Sequence, residues 1–314
     1  MPTAPEPHPV PDPEPDEFAD VPALAARLGV DDPPRPSRLT VPTRGGRSVS
    51  AVRWDAPGTA APDTAAPVTF LHGVGIEARS FDETIVAGGT PALAIDLPGH
   101  GRSAWRSDAD YSADTVAPDV LAALRSLGAP RGVLVGHSLG AIVAARIAAL
   151  APEQVAGLVL VDMSPDFTQR AVDRIVRALE VEPDHADLDA FVEHALAARL
   201  GEERGALTRE ARHSTRLDER GRRVRRHHFP HLPDDVHASI GRFADAWPDL
   251  TGLTVPLLLV RGDRGYVSPK LAREFADRLP DATVATVHSR HAVQTQAPVA
   301  LATAIRSWRT ANGL

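Results

Sequence analysis

Apolar and polar residues alternate with a period of two over Leu39 to Val41 and again over Ser48 to Trp54, and the Arg44-Gly45-Gly46-Arg47 stretch between them has turn chemistry. This predicts a β-hairpin. The pattern then changes: Val68 to Leu71, Ala92 to Ile95, Gly132 to Val135 and Val155 to Val161 are short, nearly continuous apolar runs. Such runs suit strands covered on both faces, as in a parallel sheet. Segments with helical character separate them, near Phe81 to Ala87, Ser112 to Leu127 and Leu139 to Leu150. Alternating β and α elements predict an α/β fold with a doubly wound, mostly parallel sheet.

After Pro165 the alternation stops. Gln169 to Leu179 and Leu188 to Leu200 predict helices, followed by a charged loop or hairpin with no buried strand. Strand character resumes at Val255 to Val260, then come a helix at Pro269 to Leu279, a strand at Thr283 to Val287 and a last helix at Pro298 to Thr310. The expected organisation is therefore a core at 38–165 and 251–314, with a helical insertion at 166–250. Residues 1–37 are rich in proline and acidic side chains and predict a disordered, solvated tail. Its one apolar piece, Val21 to Val30, is long enough for a turn or two of helix that could dock on the body.

Composition narrows the chemistry. With 43% hydrophobic residues the chain can bury a sizeable core, and the absence of cysteine excludes disulfides, thiolate metal sites and a Cys nucleophile. A net charge of -7 argues against a nucleic-acid partner, which would need a basic face. The sequence carries neither a basic start followed by an apolar run nor an apolar stretch approaching the length of a membrane span, so a cytoplasmic protein without a membrane partner is expected. The histidines lack a metal-ligand pattern such as H-E-x-x-H; no metal and no cofactor are expected.

The chemistry concentrates at Gly136-His137-Ser138-Leu139-Gly140, between an apolar strand and an Ala-rich helix. This is G-x-S-x-G in its strand-turn-helix setting, where a sharp turn admits only small residues two before and two after the serine and pushes the hydroxyl out at the end of the sheet. Ser138 is the expected nucleophile. Acyl transfer also needs two backbone N–H groups aimed at the developing oxyanion, one after the nucleophile and one on the loop after an early strand. Leu139 and Val74, the latter in Leu71-His72-Gly73-Val74-Gly75, are the candidates. The last strand leads into His288-Ser289-Arg290-His291, and the order Ser, acid, His suits His291 as general base, with His288 still part of the strand end.

These motifs, together with Asp96-Leu97-Pro98-Gly99-His100-Gly101-Arg102-Ser103, which is similar to the D-x-P-G-x-G-x-S turn, make the chain resemble the α/β-hydrolase superfamily, and within it the cap-bearing esterases and carbon-carbon bond hydrolases. The resemblance covers about Leu39 to Thr310 and implies that the insertion roofs the substrate pocket. It also implies a triad acid three residues past the glycine that ends the penultimate strand. Here that glycine is Gly262, and Gly265 stands where the acid is expected. Two carboxylates remain: Asp162, at the end of the Val155 to Val161 strand, and Asp263, one residue past Gly262. Asp162 is preferred, because some members place the acid after that strand.

The expected function is hydrolysis of an ester, lactone or thioester of a small molecule through a Ser138 acyl-enzyme. Two alternatives share the fold: a carbon-carbon bond hydrolase or non-hydrolytic lyase or cyclase, and a ligand-binding receptor with little turnover. Dehalogenase and epoxide hydrolase chemistry use an aspartate nucleophile, which this elbow lacks. The insertion carries Arg204, Arg209, Arg212, Arg216, Arg220, Arg222, Arg223, Arg225 and Arg226. Such a run either grips an anionic substrate or forms a solvated face.

Overall fold

The structure is a computed structural model that describes residues 17–56, 67–198, 201 and 203–314. Helix α1 (Val21–Leu28) precedes a hairpin of β1 (Arg35–Pro42) and β2 (Ser48–Asp55). Then β3 (Val68–Leu71), α2 (Asp82–Gly88), β4 (Ala92–Ile95), α3 (Ala113–Ser126), β5 (Gly132–His137), α4 (Leu139–Leu150) and β6 (Val155–Val161) alternate. Beyond β6 the chain leaves the sheet for α5 (Gln169–Glu180), α6 (Leu188–Ala197), α7 (Arg204–Ser214), a small hairpin of β7 (Thr215–Leu217) and β8 (Arg223–Arg225), and α8 (Trp247–Thr251). It returns through β9 (Leu257–Gly262), α9 (Pro269–Arg278), β10 (Thr283–Val287), the single turn α10 (Val293–Gln296) and α11 (Pro298–Ala311).

The main sheet has the order β1-β2-β4-β3-β5-β6-β9-β10. β2 is antiparallel to both of its neighbours, and every later pair is parallel. All residues of β3, β5 and β6 are buried, in keeping with their nearly continuous apolar runs. Successive side chains feed opposite layers. Leu134 and Leu160 pack with Val116, Val120 and Ile147 of α3 and α4, whereas Val133, Val135 and Val159 pack with Ile85, Leu301, Ile305 and Trp308 of α2 and α11. The connections reverse direction between β3 and β5, so the carboxyl ends of β3, β5, β6, β9 and β10 border a crevice of the kind in which α/β proteins bind ligands.

Two expectations need correction. The stretch read as a tail up to residue 37 packs on the body from residue 17 onward, and β1 already begins at Arg35. Val21, Leu24 and Ala25, spaced i, i+3 and i+4, form one apolar face, and all three are buried beside α2. Gly29, at φ 69°, closes α1 with its N–H on the Ala25 and Ala26 carbonyls. The rest of the expected tail, residues 1–16, lies outside the described residues.

The charged stretch after α6 is not simply a loop or hairpin. It first forms α7, whose buried apolar face amounts to Leu207 and Ala211, too sparse a stripe to stand out against the arginines around it. The helix starts where the Glu203 carboxylate accepts the Gly205 and Ala206 N–H groups. The helix expected to reach Leu200 is described as far as Ala197, and residues 199–200 lie outside the described residues.

Candidate active site

Ser138 sits between β5 and α4 at φ 51° and ψ -118°. For a non-glycine residue such a conformation costs about 1–3 kcal/mol and persists only where its surroundings enforce it. They do so here. A Cβ on Gly136 would lie 2.2 Å from the Gly140 carbonyl oxygen, and one on Gly140 would lie 2.1 Å from the Leu71 carbonyl oxygen. The turn is therefore pressed between β3 and α4, and both flanking positions exclude any larger residue. Ser138, His291 and Tyr266 all line a cavity of about 630 Å3.

Asp162 follows β6 directly, at φ 46°, and is fully buried. One carboxylate oxygen accepts the Gly262 N–H at 3.0 Å; the other accepts the Tyr266 N–H at 2.7 Å and contacts His291 Nδ1 at 2.8 Å. With Nδ1 so engaged, Nε2 is the imidazole nitrogen left for other chemistry. The glycine at 265 explains this arrangement: a Cβ there would lie 2.3 Å from both Asp162 oxygens. The Asp162 carboxylate occupies the room that a side chain at 265 would need. Asp263 points elsewhere. Its half-exposed carboxylate meets His288 Nδ1 at 2.7 Å and accepts the Ser289 N–H at 3.0 Å, and the His288 bond holds it below the usual carboxylate range.

His137, next to the serine, secures the loop that carries His291. Its Nε2–H donates to the His291 carbonyl at 3.0 Å, and the Gln294 amide lies 3.4 Å from its Nδ1. Burial, reinforced by the neighbouring His291, holds the His137 imidazole well below its ordinary pKa, in keeping with a neutral ring that donates from one nitrogen and accepts at the other.

The loop after β3 runs against the elbow, and a Cβ on Gly73 would lie 3.2 Å from Ser138 Cβ. Val74, on this loop, lines the cavity, and Leu139 is the first residue of α4, a position whose N–H has no partner within its own helix. His72 anchors the loop: its Nε2 accepts the Leu97 N–H at 2.9 Å and its Nδ1 bonds the Gly73 carbonyl at 2.7 Å. Burial lowers its pKa to about 4, so it stays neutral. The Asp96 turn braces the same region through the N–H groups of Ala78 and Arg102 and the guanidinium of Arg38.

One wall of the cavity is an ion network that joins three parts of the chain. Arg79, buried after the β3 loop, pairs with Asp82 at 2.8 Å and with Asp20 at 2.7 Å, and it bonds the Glu17 carbonyl. Arg209 of α7 pairs with Asp20 at 2.7 Å and also with Asp82. His213 of α7 accepts from Arg79 on Nδ1 at 2.9 Å, which leaves the proton on Nε2, 3.2 Å from Asp20. Burial lowers the His213 pKa against the pull of Asp20. The segment just before α1 thus stitches the insertion to the core.

The other described arginines of the insertion do not line this cavity. Arg225 pairs with Glu182 and bonds the Ser214 hydroxyl, Arg222 forks onto Asp184, and Arg204 pairs with Glu193. The histidine run that follows is packing: His228 bonds the Tyr111 hydroxyl at 2.6 Å, and both His228 and His231 stack on Trp105.

Sequence reasoning passed over His137, Tyr266, Arg79 and Asp20. His137 was visible as the second residue of the elbow. Tyr266 follows directly on the glycine whose missing carboxylate had drawn attention, so it too had a signal. Nothing in the sequence marked Arg79 or Asp20, whose partners are remote in the chain.

Among the described residues no helix is long and apolar enough to cross a membrane. The sequence pattern of the alpha/beta hydrolase family matches residues 70–304. The chain is 35% identical over 303 residues to Esterase Rv0045c of Mycobacterium tuberculosis, covering 93% of this chain and 95% of that one. It is 31% identical over 231 residues to Lipase LipV of the same organism, covering 69% and 82%. A solved structure of the Rv0045c esterase superposes with a TM-score of 0.78 at 34% identity, covering 93% of this chain and 98% of that one.

Proposed function

The chain belongs to the alpha/beta hydrolase family and is a hydrolase, and from that premise we propose that it cleaves the ester of a small molecule through an acyl-enzyme on Ser138. The observation that carries the reading is the 2.8 Å contact between Asp162 and His291, beside a serine held in a strained elbow and opening into the same cavity. An esterase by name, alike over nearly the whole length, favours an ester as the bond broken.

In this reading the Ser138 hydroxyl attacks the ester carbonyl carbon and its proton passes to His291 Nε2. Asp162 holds the ring in the working tautomer and stabilises the imidazolium as it forms. Negative charge gathers on the carbonyl oxygen, where the Val74 and Leu139 N–H groups receive it; one such donor is worth about 10²–10³ in rate. Collapse breaks the bond to the alkoxy group, which leaves as the alcohol with the proton from His291. Water, giving its proton to His291, then attacks the acyl carbon, and the bond to Ser138 breaks as His291 passes that proton to the Ser138 oxygen, releasing the acid and free Ser138.

The test is a fluorophosphonate labelling reaction with mass mapping, run beside a panel of p-nitrophenyl esters. The expected result is a single adduct on the peptide holding Ser138, with ester turnover lost in proportion to labelling. An adduct elsewhere, or turnover that survives full labelling, would overturn the mechanism.

A further inference from the structure

His291 is held at one nitrogen by Asp162, which leaves the imidazole free to swing about that contact. Tyr266 closes off the swing. Its ring lies face to face with the imidazole, with centroids 3.8 Å apart and planes 17° apart. Among the described residues the other ring close to His291, that of His137, is tilted by 43° at 4.5 Å. Tyr266 itself stacks on Phe167 at 5.0 Å and 12°. The column of three rings joins the start of the insertion, the loop after β9 and the loop after β10. The Tyr266 backbone also takes part, since its N–H donates to the Asp162 oxygen that faces His291. One residue thus touches both members of the acid-imidazole pair, by its main chain on one side and its ring on the other.

We propose that Tyr266 is a positioning residue for His291, fixing the plane of the imidazole so that Nε2 stays aligned for proton transfer. The proposal rests on the reading of His291 as the general base. Loss of the ring leaves the Asp162 contact intact but lets the imidazole rotate, and misplacement of a catalytic group by even 1 Å costs up to about 10²-fold. A single aromatic pair accounts for up to about tenfold of this. The phenol hydroxyl is not required, because the contact is between ring faces.

The experiment compares Tyr266→Leu and Tyr266→Phe on p-nitrophenyl acetate, whose acyl group is too small to lean on the cavity wall. Each rate is divided by the fraction of sites titrated with a fluorophosphonate, so a partly folded variant is still read. Tyr266→Leu is expected to lower kcat about tenfold with KM within about twofold, and Tyr266→Phe to restore most of the loss. An unchanged kcat in Tyr266→Leu, a loss confined to KM, or a Phe variant as poor as Leu would each overturn the proposal. Ser138→Ala runs in parallel. If it stays active, the Ser138 reading fails; if it is inactive while Tyr266→Leu is normal, only the positioning role fails.

Discussion

Asp20→Ala tests whether the segment before α1 is part of the working molecule. The Asp20 carboxylate contacts Arg79, Arg209 and His213, and its side chain is 21% exposed. Removing one partner of a buried pair costs about 3–5 kcal/mol, and partial exposure reduces this to about 2–3. Of the two carboxylates that Arg79 and Arg209 share, only Asp82 would then remain. At about 2–4 °C per kcal/mol for a large domain, the melting temperature should fall by about 4–12 °C. Because Arg79, Arg209 and His213 line the cavity, kcat/KM should fall with it. The pH dependence is equally specific. Burial works to raise the Asp20 pKa, but His213, Arg209 and Arg79 outweigh it and carry it far below the ordinary carboxylate range. A depressed carboxylate contributes stability that is present above its unfolded pKa, near 4, and is lost as pH falls through the folded value. The gap between wild type and variant should therefore be full at pH 5–8 and shrink only below about pH 4. Scanning fluorimetry across that range reads it. A gap under about 1 °C at neutral pH would refute the claim that this segment clasps the insertion.

Leu24→Ala, which empties the docked face of α1, should cost about 2–5 kcal/mol by denaturant unfolding. Ser138→Ala should lower kcat by at least about 10⁴-fold in a protein that melts normally. Asp162→Asn should cost about 10⁴-fold in kcat, whereas Asp263→Asn should stay within a few-fold, both checked by melting; the reverse order would move the acid role to Asp263. Gly265→Ala should lower both stability and kcat, since its Cβ would lie 2.3 Å from the Asp162 carboxylate, and normal kinetics in that variant would show the loop to be softer than described.

The parallel strands were legible because burial on both faces leaves few polar positions in them, and β3, β5 and β6 read as nearly continuous apolar runs broken only by Thr69 and, at the end of β5, His137. The elbow was legible because its constraint is local: strand, tight turn and helix lie within a few residues. Preference for Asp162 over Asp263 rested on strand ends, and the contact with His291 lies on the side preferred. The rest depends on pairs remote in the chain. That Gly265 makes room for Asp162, that Tyr266 lies on His291, and that Asp20 meets Arg209 are facts of packing between loops, which no local spacing encodes. α1 was legible as a turn or two of helix from its i, i+3, i+4 face, but the acidic and proline-rich residues around it dominate the average of the segment, and the surface it covers comes from α2, which is why the tail was drawn too long.

The shared space at Asp162 and Gly265 also bears on how such a chain can change over generations. A side chain at 265 would overlap the Asp162 carboxylate where it now lies. In this chain the carboxylate at 162, held as it is by Gly262, Tyr266 and His291, can keep its place only while residue 265 is small. The effect of either residue on fitness then depends on the other. A search among related chains for the triad acid should accordingly examine the two positions as a pair, with glycine at one serving as evidence for the carboxylate at the other.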